Sequence, residues 1–231
     1  MDKHTKQQIR RAKTVKARWI LDDLSTHENK DIRRAVVKNP NVPRDILDRL
    51  SRDRDYGVRW EVAVNPSTPV DILARLTRDN HEAVYSALSY NPSTPADILA
   101  RLIKHERIRE YIARHPNTSR ETLKKLSRDP DPDVRSEVAK NPNTPMNILD
   151  RLLSDKTWYV RGAVARNPNA SLNMLNQIWL NMDDNDRNEG EGETWYLKQN
   201  SKWDNRKELE KMGLLDTALY AERWLLRSKT R

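Results

Sequence analysis

The chain has 231 residues, a net charge of +9 and no cysteine, which excludes disulfides, thiol chemistry and cysteine-ligated metal and suits a cytoplasmic protein. A hydrophobic content of 36% without any phenylalanine is thin for a large globular core, and no apolar run is long enough to cross a membrane. The charge is uneven, +6 over residues 1–18, −5 over residues 181–193 and +4 over residues 194–231, and a basic chain of this kind points to an acidic partner, nucleic acid first.

The N-terminal residues Met1 to Lys6 contain no apolar signal region. Residues 5–25 are predicted as one helix, with Ile9, Ala12, Trp19 and Ile20 on an apolar stripe and Lys6, Arg10, Arg11, Lys13, Lys16 and Arg18 around it. Its end, Ile20 to Ser25, matches Ile46 to Ser51, so it reads as the second half of a partial repeat, capped by the basic helix before it. Basic side chains near a helix N-terminus oppose the macrodipole by roughly a few tenths of a kcal/mol each. Arg10 and Arg11 are therefore candidates to meet an anionic partner.

Residues 31–180 repeat one pattern six times. The register is set by Asn39-Pro40, Asn65-Pro66, Asn91-Pro92, His115-Pro116, Asn141-Pro142 and Asn167-Pro168, spaced by 26, 26, 24, 26 and 26 residues. Seven positions before each Asn or His stand Ile32, Val58, Val84, Ile108, Val134 and Val160, and three before stand Val36, Val62, Leu88, Ile112, Val138 and Val164. Eight positions after runs a leucine column, Leu47, Leu73, Leu99, Leu123, Leu149 and Leu175. A period of this length means stacked units that bury their apolar faces in one another. Each unit is predicted to hold two helices. The first is short, α or 3₁₀, and stops at the residue before proline. The second enters through Thr and Pro, as in Thr144-Pro145, with capping boxes from Thr68 to Asp71, Thr94 to Asp97 and Thr118 to Glu121.

Residues 181–193, with two Gly and six acids, read as an acidic flexible loop whose spacing does not make a calcium site. Residues 194–231 read as a C-terminal helical cap, with Leu214, Ala218, Ala221 and Leu225 on one face and Trp195, Trp203 and Trp224 over the open end of the core.

The repeats resemble the variant leucine-rich repeat family of bacterial proteins, whose motif Val-Arg-x-x-Val-Ala-x-Asn-Pro-x-Thr-Pro-x-x-x-Leu-x-x-Leu is matched at every fixed position by Val134 to Leu152. The resemblance covers about two-thirds of the chain. It implies an all-α fold, a right-handed superhelix of alternating short and longer helices with no sheet, and a scaffold without a shared activity. The 26-residue unit exceeds the family's usual 24, which implies a longer turn before the short helix. With no cysteine, the iron–sulfur cluster found beside such repeats in one arrangement is excluded.

The candidate binding residues form columns. Six before the Asn stand Arg33, Arg59, Tyr85, Arg109, Arg135 and Arg161, and one before stand Lys38, Arg114, Lys140 and Arg166, with Val64 and Tyr90 as exceptions. Helices packed about 8–10 Å apart would space such arginines at roughly every third phosphate of a strand rising about 3.4 Å per nucleotide. Tyr56, Trp60, Tyr85, Tyr90, Tyr111, Trp158 and Tyr159 lie outside the aliphatic columns and are expected to line one surface. Arg beside aromatic rings suits stacking on bases and equally suits a protein interface. The other reading of the Arg column is structural: each bridges to an acid of the turn before it, such as Asp53, Asp79, Asp129 or Asp155.

No cofactor and no metal are expected, since the five histidines show no ligand spacing and there is no Gly-rich phosphate loop or nucleophile elbow. Some alkylpurine DNA glycosylases are helical-repeat proteins, so base excision is the enzymatic alternative. The expected function is a non-catalytic scaffold that binds nucleic acid through the Arg and aromatic surface, or a protein partner through the same surface. In a third arrangement, residues 183–193 fold over the basic surface and compete with the ligand.

Overall fold

The computed structural model describes residues 2–181. The acidic segment 182–193 and the C-terminal cap 194–231 lie outside the described residues. Among those described there are fourteen α-helices, one 3₁₀ helix and no strand. Contacts divide the chain into two compact units, residues 1–119 and 120–231.

The first unit opens with α1 (Lys3–Thr14) and α2 (Arg18–Ser25). The single helix expected over 5–25 is broken, because Val15 and Ala17 are extended. The break makes a whole repeat of this region: α1 packs on α3 (Lys30–Val37) as one first helix packs on the next. Pairs follow in order: α4 (Arg44–Leu50), α5 (Tyr56–Val64), α6 (Val70–Leu76), α7 (Glu82–Ala87) and α8 (Ala96–Leu102). A 3₁₀ turn, Glu106–Ile108, then leads into α9 (Arg109–Arg114). The second unit holds α10 (Arg120–Leu126), α11 (Pro132–Lys140), α12 (Met146–Leu152), α13 (Trp158–Ala165) and α14 (Leu172–Asn181). The short helices are α, and the 3₁₀ turn belongs to the one 24-residue repeat.

All three aliphatic columns are interior, and no member is more than 3% exposed. Burying each such side chain stabilises by about 1.5–3 kcal/mol, and a short helix can obtain that only from its neighbours.

The backbone between the helices is satisfied by side chains. Asn91 Nδ2 donates to the carbonyls of Ala63 (2.7 Å) and Asn65 (2.9 Å) one repeat earlier, and its Oδ1 accepts from Ser93 N. Asn39 does the same to Ala12 and Val15, Asn65 to Val37, and Asn167 to Ala139 and Asn141. The column therefore does more than end the first helix: it ties the helix end to the previous repeat. His115 substitutes ring for amide, with Nε2 on Asn91 O (2.9 Å) and Nδ1 accepting from Asn117 N (3.1 Å). That pattern requires the tautomer with hydrogen on Nε2.

The threonines behave differently from the expected N-caps. The second helices start one residue after the proline, and α4, α6, α8 and α12 have no side-chain cap. Instead Thr68, Thr94 and Thr144 donate Oγ1–H back to Val62 O, Leu88 O and Val138 O at 2.6–2.7 Å. Thr118 bonds Ile112 O in the same way. Each hydroxyl thus adds a second bond to a carbonyl in the last turn of the first helix, which also accepts the N–H of the following Asn or His, and the capping boxes do not form.

Asn91 is fully buried, so Asn91→Ala is expected to destabilise by about 2–3 kcal/mol, the cost of stranded buried carbonyls. His115→Asn, which keeps the bonding pattern, should change the urea midpoint little.

Candidate functional site

The arginine column was the leading candidate, and its local geometry assigns most of it to the fold. Arg33 on α3 donates Nε and Nη2 to the two oxygens of Asp53 (2.6 and 2.8 Å), while Nη1 donates to His27 O and Glu28 O. Arg59 on α5 repeats this fork on Asp79 (2.7 and 2.9 Å), with Nη1 on Asp53 O. Arg135 on α11 repeats it on Asp155 (2.7 and 3.0 Å), with Nη1 on Asp129 O. The acid comes from the following repeat's turn; the preceding turn supplies carbonyls. Each Asp also accepts a backbone N–H two residues on, as Asp79 does from His81. The three arginine side chains are only 6%, 13% and 8% exposed. A fork already filled by carboxylate has no face for phosphate, so Arg33, Arg59 and Arg135 are corrected from ligand contacts to inter-repeat clamps. Arg109 and Arg161 are half-buried and donate to Ile103 O and Asp155 O.

The arginine column itself is interrupted at one position, and the residue twenty on changes with it. Tyr85 occupies the arginine position, and twenty residues on, where Asp53 stands from Arg33, is His105. The rings stack at 4.1 Å. This is the 24-residue repeat, two residues shorter in the turn that elsewhere carries the acid. Tyr85 is therefore an inter-repeat contact. Burial, with Lys104 nearby, holds the His105 imidazole below its ordinary range.

The first-helix face of the first unit is different. Lys38 Nζ and Arg34 Nη2 both reach Glu61 Oε1, at 2.8 and 3.1 Å, and Arg114 reaches Glu110 at 3.0 Å. Between these pairs lie Trp60 and Val64, half-exposed, and Tyr90, 55% exposed and packed on Tyr111 at 4.8 Å. Burial and the Tyr111 hydroxyl push the Tyr90 phenol up to about 12. Tyr56 lines a hollow with Trp60, Lys30 and Arg34, and its ring stacks on His81 at 3.7 Å. The aromatic residues divide by what they touch: Tyr56 and Tyr85 each stack on a histidine of the following turn, whereas Tyr90 and Tyr111 pack on each other and Trp60 lines the hollow. In the second unit Lys140 pairs with Glu137 (2.7 Å), Arg166 is exposed, and Trp158 meets Tyr159 edge-on. Glu61 was not singled out by column reading; its signal is a carboxylate where Ala35, Ala87 and Ala163 stand in other repeats.

On α1, Arg10 and Arg11 are exposed, with Lys3, Lys6 and Lys13 beside them, and none forms an ion pair among the described residues. Among those residues no group of three or more His, Cys, Asp or Glu is placed to hold a metal, and no helix is long and apolar enough to cross a membrane.

Removing Arg135 strands a buried carboxylate, so Arg135→Ala is expected to cost about 3 kcal/mol in urea unfolding, against under about 0.5 for exposed Lys156→Ala. Burial works to raise the carboxyls of Asp79 and Asp155, but the arginine fork and backbone N–H bonds carry both below the ordinary range. Their stabilising contribution is present above the unfolded value and is lost as pH falls through the lower folded value. The urea midpoint should therefore decline below about pH 4, and decline less in Arg135→Ala.

The family model described as leucine rich repeat variant matches residues 31–55 and 106–131. A solved structure described as a leucine-rich repeat variant with a novel repetitive protein structural motif is 28% identical, with a TM-score of 0.55, over 73% of this chain and 67% of its own. No curated protein matches the chain. Two of the tandem units, residues 31–55 and 106–131, thus match the leucine rich repeat variant model, and the all-helical repeat fold is similar to that of a solved leucine-rich repeat variant.

Proposed function

We propose that the chain is a non-catalytic scaffold whose first-helix face, on α3, α5, α7 and α9, holds a polypeptide partner. The observation that carries this reading is that the cations on that face are matched by its own acids, Lys38 by Glu61, Arg34 by Glu61 and Asp31, and Arg114 by Glu110, while aromatic rings stay accessible among them. A surface of neutralised charge with Trp, Tyr and Arg at its centre has the composition of a protein interface. It lacks the surplus positive charge that gives nucleic-acid binding its affinity.

A second reading rests on α1, whose exposed, unmatched Lys and Arg suit an acidic partner, nucleic acid included.

The two readings separate by experiment. A photo-crosslinking residue at position 90 is expected to capture a polypeptide, to do so after nuclease treatment, and to lose most of the yield in Trp60→Ala with Tyr111→Ala. Loss of capture on nuclease treatment would reject the polypeptide reading. Five α1 cations on duplex DNA would give a slope of log K against log salt of about −4.5; a flat response rejects the second reading.

A further inference from the structure

The second helices carry their own ladder. Arg49 on α4 reaches back to Asp22 (2.6 Å) and Ser25 (3.0 Å) on α2, and Arg75 on α6 reaches Asp48 (2.8 Å) and the Ser51 hydroxyl. The next rung is missing. The position held by Asp22 and Asp48 is Ala74 on α6, so Arg101 on α8 turns to Asp97 of its own helix at 3.3 Å, both exposed.

An open cavity of about 630 Å³ lies here, with Ala74 in its wall and Arg52, Arg59, Arg75, Arg78 and Arg101 around it. Its two carboxylates, Asp53 and Asp79, are both taken up by clamps, with Arg33 and Arg59. Several donors remain. Arg78 forms no ion pair among the described residues. Arg75, held by Asp48 at 2.8 Å and by the Ser51 hydroxyl, contributes its charge to the wall. Arg52 meets Asp48 only at 3.6 Å. Asn80 accepts from Arg59 through Oδ1 at 3.1 Å, and its NH₂ group is left to donate.

We propose that this cavity binds a small phosphorylated anion of the diphosphate class. Guanidinium forks match phosphate oxygens in pairs. The volume is that of a small-molecule site, about 300–1,000 Å³, and exceeds what one oxyanion fills. The cavity lies at the C-terminal ends of α4, α6 and α8, where backbone carbonyls repel anions, so attraction has to come from the arginines. The absence of aromatic residues from its lining makes charge and hydrogen bonding, with no ring stacking, the basis of recognition. The site uses none of Lys38, Trp60, Tyr90 and Tyr111 and does not depend on the polypeptide reading.

The test is calorimetric titration of the full chain with inorganic pyrophosphate, against chloride at matched ionic strength. A single site is expected. Arg78→Ala should weaken it about tenfold or more, the worth of one charge-assisted hydrogen bond. Ala74→Asp, which returns the carboxylate that Arg101 lacks, should weaken it as much while keeping or raising the melting temperature. Arg10→Ala with Arg11→Ala should leave it unchanged. The proposal is overturned if pyrophosphate binds no better than chloride, or if Arg78→Ala and Ala74→Asp leave binding intact. It also fails if the α1 substitutions weaken binding equally, since that marks a general response to net charge.

Discussion

Short helices leave a large share of their backbone polar groups without partners, and this constraint shapes every repeat. A seven-residue helix has about eight orphan groups against about three internal hydrogen bonds, and stacking buries those ends. The chain meets the constraint with side chains: the Asn amide crosses to the previous repeat's carbonyls, the Thr hydroxyl bonds back to the end of the first helix, and the Asp carboxylate accepts from the turn. The aliphatic columns drive the stacking, and these bonds make it specific, because a shifted register would strand buried carbonyls.

The most regular polar residues are accordingly the ones least available to a ligand. Arg33, Arg59 and Arg135 recur because each closes one junction between repeats. Where the pattern fails, side chains are released or surfaces altered: Ala74 leaves Arg101 without its acid, Tyr85 and His105 replace a clamp by a ring stack, and Glu61 gathers two cations. In a tandem array the regular positions serve the array, and departures from them are where binding properties reside.

Repeat length, the helix order within residues 31–180 and the three core columns were legible because periodicity and burial are tied together: a position that must be apolar in every copy recurs in every copy. The role of Asn39 and its equivalents was half legible. Pro40 shows that the helix stops, but nothing local shows that the amide reaches Ala12. The threonines were misread because a Thr-Pro step before a helix is a common cap, and only the packed first helix offers Val62 O as a competing acceptor. The break at Val15–Ala17 was hidden by a continuous run of helix-forming residues. It follows from α1 packing on α3, a tertiary contact.

What the sequence determined by itself is the fold: tandem copies whose apolar columns can be buried only against one another. What the tertiary structure alone decided is which charges remain available. A column of arginines reads identically whether it faces solvent or a neighbour's carboxylate, because the deciding partner, Asp53 for Arg33 or Asp155 for Arg135, lies twenty residues away and meets it only when adjacent repeats close. Electrostatic availability is a property of pairs in space, and pairing across a repeat junction exists only in the folded chain.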